Sequence, residues 1–330
     1  MTNIPVSVLD LAIVTEGSTI KETIEKSRDL VIHAEEYGYK RFWMAEHHNM
    51  ENIASSATAV LLGHMAEATS SIRIGSGGIM LPNHSPLIIA EQFGTLATMY
   101  PDRVDLGLGR APGTDQVTAN AIRPDRLQEV HRFPENVKQL QKYLSESNKN
   151  SKVRAIPGEG TNIPIWILGS STDSAYLAAE LGLPYAFASH FSPQQLMPAQ
   201  RIYRENFQPS DQLEKPRFMP CINIIAADTD KEAEYLSTSM MQMFLGVVTG
   251  DRKPMQPPVD DMDLVWNQHQ KMMVQQMLAC SFMGGKNTIQ NKIADFIEQV
   301  NADELMIASY IFDHSLRLKS HRLFSEWMKN

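Results

Sequence analysis

The feature that most constrains this chain is an alternation, kept up along nearly its whole length, of short apolar runs with longer stretches of helical period. Residues 6–14, 41–46, 72–81, 104–108, 163–168, 185–189, 218–226 and 304–310 read as eight strands. Between and after them, 20–37, 55–68, 86–99, 132–145, 174–181, 193–206, 231–247, 264–279, 287–300 and 315–327 repeat their apolar positions as helices do. Gly38 stops the first helix, and Pro86 opens the third, where its missing N–H has no intrahelical partner. A long polar loop precedes 132–145. Parallel neighbours need a crossover, so eight strand–helix pairs predict a parallel sheet. A closed (β/α)8 TIM barrel is the simplest α/β arrangement, with an open doubly wound sheet as the alternative. The chain has 330 residues, 43% of them hydrophobic, enough for one such barrel domain spanning 1–330. The order breaks once. Residues 227–286 form an insertion between the seventh strand and its following helix, with three prolines and several acids in 249–263. Strand-to-helix connections lie on the face of a barrel that carries active sites, so the insertion reads as a lid, or equally as a structural arm or dimer contact.

Charge narrows the function. Thirty Lys and Arg against 38 Asp and Glu leave a net charge of -8 with no basic stripe, a poor match to nucleic acid or an anionic membrane. Cys221 and Cys280 form neither a CxxC nor a zinc spacing and read as inert reduced thiols. Asp10, Glu16 and Lys21 interrupt the first apolar run, no basic segment precedes it, and no run approaches the ~20 apolar residues that span a bilayer. A soluble cytoplasmic protein is expected. The methionines clustered between Met240 and Met283 read as core filler or as an adaptable pocket wall.

Four segments carry chemistry. Trp43-Met44-Ala45-Glu46-His47-His48-Asn49 ends the second strand. Neighbours on a strand face opposite ways, so His47 and His48 do not both reach one centre, which argues against a two-histidine metal site. One of them facing the cavity would serve as a proton donor or acceptor; otherwise it is a hydrogen-bonded structural histidine. Gly75-Ser76-Gly77-Gly78 weakens a strand and so needs a cause: either the close approach of a flat ligand, or a bulge or bend in the wall. Asp105-Leu106-Gly107-Leu108-Gly109-Arg110-Ala111-Pro112-Gly113 fails as a dinucleotide fingerprint, since its third glycine is one residue late and Pro112 opposes a helix start. What remains is Arg110 at a strand end, suited to a phosphate or carboxylate, or paired with a neighbouring loop. Gly169-Ser170-Ser171-Thr172-Asp173-Ser174 opens the fifth helix with four hydroxyls, more than one cap requires. Together with Arg110 it makes a phosphate cradle, without the GxxxxGK[ST] of a P-loop.

In order and spacing, Leu9-Asp10-Leu11-Ala12, Ala45-Glu46-His47-His48, Gly75 through Pro82, Ala90-Glu91-Gln92-Phe93, Asp105 through Arg110, Trp166 through Ser171, Ala302 through Met306 and Phe312-Asp313-His314 resemble the bacterial luciferase-like, flavin-dependent monooxygenases, and their small single-chain branch most of all. The resemblance covers nearly the whole chain. It implies a TIM barrel with FMN at its C-terminal mouth. It also implies a non-prolyl cis peptide at Ser76–Gly77 against the flavin ring, phosphate contacts from Arg110, Ser171 and Ser174, and a second phosphate contact from Arg123 or Arg126. Ser170 falls where luciferase has glutamate. His47 matches the catalytic histidine, with Glu46 beside it in the cofactor site. The implied reaction takes reduced FMN from a separate flavin reductase. O2 adds to give a flavin C4a-hydroperoxide, and one oxygen passes into a small organic substrate as water leaves. A homodimer is implied as well. Two alternatives stay open: deazaflavin-dependent hydride transfer, and a non-catalytic flavin-binding protein.

Overall fold

Strands buried on both faces need apolar residues at nearly every position, and the apolar runs supply them. The structure, a computed structural model, describes residues 4–329. Its strands are β1 (Val6–Asp10), β2 (Arg41–Met44), β3 (Arg73–Met80), β4 (Val104–Gly109), β5 (Ile165–Gly169), β6 (Tyr185–Phe187), β7 (Phe218–Ala226), β8 (Ser281–Gly284) and β9 (Leu305–Ala308). All pair in parallel. β1 to β7 follow one another, β9 joins β7 to β1, and the β6–β7 pairing closes a ring of eight. The chain is a closed TIM barrel, and the open sheet is excluded by that closure.

β8 is a ninth strand that the sequence reading lacks. β6 stops at Phe187, opposite Pro220, and the edge of β7 beyond it is taken by β8. Asn223 pairs with Ser281 on that edge and with Ala308 of β9 on the other. β8 lies inside the insertion, which otherwise has the expected helices, Asp230–Thr249 and Gln268–Met277, before the helix Lys286–Val300. Two short helices, Gln116–Ile122 and Arg126–His131, occupy the stretch expected to be a polar loop. β1 ends at Asp10, short of residue 14, because Ala12 takes a φ of 50° and turns the chain across the rim.

Alternation along each strand sends side chains to two cores. Val8, Phe42, Ile74, Leu106, Ile167, Tyr185 and Ile222 face outward under Leu30, Leu62, Phe93, Val137 and Phe324 of the helices. Leu9, Trp43, Ala45, Trp166, Ala186, Met219, Cys221 and Met306 fill the barrel, with Trp43 edge-on to Trp166 at 5.4 Å. Below them an ionic floor closes the N-terminal end. Arg41 bonds Asp105 and Glu304, each at 2.7 Å; Arg73 bonds Asp105 at 2.7 Å and Arg217 bonds Glu304 at 2.6 Å. The Trp43 indole N–H donates to Asp105 at 3.3 Å, and the Arg41 and Arg217 guanidinium groups lie 4.9 and 5.5 Å from the Trp166 ring centre. Burial opposes the Arg41 charge, but the two carboxylates outweigh it and raise its pKa.

The glycine run belongs to this packing. A Cβ on Gly75 would stand 2.6 Å from Trp43 Nε1, and one on Gly77 2.7 Å from Leu9 Cδ1. The β3–β4 register shifts between Ser76 and Ile79, as the bulge reading expects. The cis peptide joins Gly77 to Gly78, not Ser76 to Gly77. Ser76 is still in the ladder opposite Leu106, its hydroxyl donating to Gly107 O at 2.8 Å, so the irregularity falls one residue later.

The insertion packs Leu236, Met240, Phe244, Met255, Val274 and Leu278 against Ile225, Ala308, Tyr310 and Ile311. Ile225 and Ala308 continue the inward-facing rows of β7 and β9, so the insertion roofs that side of the mouth. Among the described residues no helix is long and apolar enough to cross a membrane.

Candidate active site

The mouth is organised around one buried carboxylate. Glu46, just past β2 and 1% exposed, accepts from Nε2 of His48 and of His84, each at 2.9 Å, and from the Met80 N–H at 3.0 Å. Burial alone would raise its pKa, but the two histidine bonds and the Met80 amide prevail and hold it at about 2. Asn83 extends the network. Its Nδ2 donates to Pro112 O at 3.0 Å and to Glu46 at 3.4 Å, and its Oδ1 accepts from Arg126 Nε at 2.7 Å. Arg126 in turn donates to Arg110 O at 2.8 Å. Gly113 completes the lacing. Its φ is +67°, and a Cβ there would lie 2.6 Å from Glu46 O, so only glycine suits this crossing of backbones. Its carbonyl accepts the His48 N–H at 3.1 Å.

The two adjacent histidines diverge, as alternation requires. His48 turns to Glu46. The Nδ1 of His47 lies 3.3 Å from Gly113 O. A carbonyl only accepts, so Nδ1 carries the proton and Nε2 keeps its lone pair. Burial lowers the His47 pKa below the ordinary histidine value, and Arg252 of the insertion adds to the effect. The ring is therefore a neutral proton acceptor at neutral pH. Arg252 also reaches Met50 Sδ at 3.5 Å, and Met255 forms a bridge with Thr15. The loop 249–263 thus crosses the rim beside His47.

At the ends of β4 and β5 the expected cradle residues separate into two kinds. Arg110 lies 3.2 Å from Asp173, in a pair exposed enough to contribute little and to be exchanged readily. Among the described residues the hydroxyls of Ser170, Ser171 and Thr172 have no hydrogen-bond partner. They stand at the start of the helix Thr172–Glu180, whose N-terminus has no side-chain cap. Ser174 is turned inward over Gly169, donating to Ser171 O at 2.7 Å and meeting Tyr185 Oη at 2.9 Å. The structure therefore sets Arg110 against Asp173 in the first turn of the helix that Ser170 and Ser171 lead into, whereas Ser174, Ser76 and Glu46 bond to protein groups and Gly77 lies in the wall against Leu9. Arg123 donates to His84 O at 2.8 Å and pairs with Asp125 at 3.0 Å; Arg126 is 5% exposed. Both arginines are committed to the protein.

Sequence reasoning missed Asn83, His84, His190 and Asn223. The first two directly follow Leu81-Pro82 and are legible as polar residues at a strand end. His190 follows β6 and is buried, its ring edge-on to Phe191 at 4.9 Å. Burial, then the nearby His47, pushes its pKa down to about 3. Asn223 lies mid-strand in an apolar run.

The model of the luciferase-like monooxygenase family matches residues 5–301. A luciferase-like monooxygenase of Escherichia coli (strain K12) is 50% identical over 317 residues, 96% of this chain and 95% of its own. The N-acetyl-S-alkylcysteine monooxygenase of Bacillus subtilis (strain 168) is 37% identical over 237 residues, 70% of each chain. Among solved structures, apo-MsnO8 has a TM-score of 0.89 at 32% identity, over 99% of this chain and 98% of its own. Two more share the fold alone over 98% of this chain and 97% of their own. The oxygenating constituent of 3,6-diketocamphane monooxygenase from Pseudomonas putida, in complex with FMN, has a TM-score of 0.71 at 16% identity. An F420-dependent secondary alcohol dehydrogenase has 0.67 at 17%.

Proposed function

The chain belongs to the luciferase-like monooxygenase family, and from that premise we propose that it is an FMN-dependent monooxygenase that uses externally reduced FMN and O2 on a small organic substrate. One observation carries the reading. Arg110 stands beside the uncommitted hydroxyls of Ser170 and Ser171 at an uncapped helix N-terminus. A phosphate monoester needs several donors and a nearby cation, and this corner offers both once Asp173 yields its exposed contact. When bound, reduced FMN supplies the electrons that activate O2 for transfer of one oxygen atom. The chain's own residues do the rest. Arg110, Ser170 and Ser171 hold the phosphate. The Glu46 network keeps the loops after β2, β3 and β4 in register. The insertion excludes water from the β7–β9 side. His47 takes up a proton at Nε2 and returns it. The reading carries with it a separate flavin reductase as the source of reduced cofactor, a homodimer and a cytoplasmic setting.

Titration with FMN, with riboflavin and with the deazaflavin F420 tests it. Arg110→Ala should weaken FMN binding by about 1.5–3 kcal/mol, the worth of a charge-assisted hydrogen bond, and leave riboflavin, which has no phosphate, unchanged. His47→Ala should leave FMN affinity nearly intact and lower turnover. Tight F420 binding without FMN binding would overturn the cofactor assignment.

A further inference from the structure

The β6–β7 side of the mouth carries two buried polar side chains with bonding capacity unused. His190 is 7% exposed, and its Nδ1 has no partner among the described residues. Asn223 is 1% exposed, and its Oδ1 is likewise unpartnered. The two residues are tied together, because Asn223 Nδ2 donates to His190 O at 2.6 Å and to Ser281 Oγ at 2.9 Å. That contact fixes the amide: a carbonyl only accepts, so the reversed amide would set oxygen against oxygen. Asn223 continues the inward row of Met219 and Cys221 on β7. β6 and β2 stand opposite each other in the ring of eight, and His190 lies within electrostatic reach of His47. Such an atom left unbonded costs on the order of 1–3 kcal/mol, and of the eleven buried unpartnered atoms among the described residues these two sit on directly bonded residues. Two on one side of a mouth point to a ligand group that bonds them.

We propose that His190 and Asn223 form a recognition corner for a neutral substrate group that pairs an N–H donor with a carbonyl acceptor, as a secondary amide does. The chemistry follows from the residues. Asn223 Oδ1 accepts and never donates; an uncharged imidazole offers one donor and one acceptor. A carboxylate would set a second pure acceptor against Oδ1. The corner rests on the reading of this mouth as the place where flavin and substrate meet. The pyrimidine edge of a flavin has the same donor–acceptor pattern, so the experiment separates the two sources.

The probes are N-benzylacetamide and N-benzyl-N-methylacetamide, which differ in the one N–H. They are titrated by ligand-observed NMR into the full chain without flavin. The secondary amide should bind roughly three- to tenfold tighter, the value of one net hydrogen bond. His190→Phe, which keeps an aromatic ring against Phe191, should bring the ratio to about one while leaving FMN affinity unchanged. A second readout avoids the variant: in the wild-type chain the imidazole 15N shifts of His190 should move with the secondary amide and not with the tertiary one. Equal affinities with unmoved His190 shifts overturn the proposal. A loss of FMN affinity in His190→Phe of about tenfold or more also overturns it, by assigning the corner to the flavin. The amide titrations contain no flavin, so a failed cofactor assignment leaves them unchanged, and a failed amide preference leaves the FMN titration unchanged.

Discussion

Replacing Glu46 by Gln keeps the side chain's size and removes the charge on which His48, His84 and Met80 converge. The magnitude follows from its titration. A carboxyl held at about 2 in the folded chain, against 4.5 ordinarily, contributes stability when ionised. The difference corresponds to about 3 kcal/mol at neutral pH. Because the folded value lies below the unfolded one, this contribution is complete above the unfolded value of 4.5 and drains away as the pH falls toward about 2. Near pH 3 less than half of it should remain. Glutamine retains one acceptor oxygen, so the variant should lose about 2–3 kcal/mol at pH 7 and under half of that near pH 3. Urea unfolding followed by tryptophan fluorescence, run on both proteins across that range, reads the gap directly. A gap of the same size at both ends would refute the claim that the charge, rather than the shape, of Glu46 holds the loops.

Three further outcomes are expected. Asp105→Asn strips Arg41 and Arg73 of a shared carboxylate in the floor and should cost about 3–5 kcal/mol in urea unfolding; a cost below about 1 kcal/mol would show the floor to be dispensable. Gly113→Ala meets both a positive φ and the Glu46 carbonyl, so it should lose about 1–3 kcal/mol of stability and weaken FMN binding, and no change in either would contradict the crossing described. Burial pushes the Cys221 thiol up and the Cys280 thiol to about 11, so both should resist iodoacetamide in the native chain and react in urea, whereas rapid native labelling would contradict their placement.

The barrel was legible because its outward rows, such as Val8, Phe42 and Ile74, sit in short, mainly apolar runs at regular spacing. β8 was not, since four residues beside a helical pattern give no signal of their own. Its place depends on β6 stopping early, which is a distant fact. The floor was hidden for the same reason: Arg41, Arg73, Asp105, Arg217 and Glu304 stand at or near strand starts, and only closure of the ring brings them together. In the candidate site, the exposed Arg110 and the hydroxyls of Ser170 and Ser171 at a helix start are local features that the residues themselves display. The inward turn of Ser174 is decided by Gly169 and Tyr185, and the glycine run by Trp43 across the barrel, so neither direction is written in its own segment.

The bridge between Thr15 and Met255 joins the first stretch of the chain to its last quarter, and β1 waits equally on β9. During synthesis the ends of β4 and β5, with Arg110 and the serines, emerge while the ring is still open and the roof is not yet made. The proposed anchor for a phosphate therefore emerges before the cover over the mouth. The mouth gains its roof only once the insertion and β9 have followed and the ring can close.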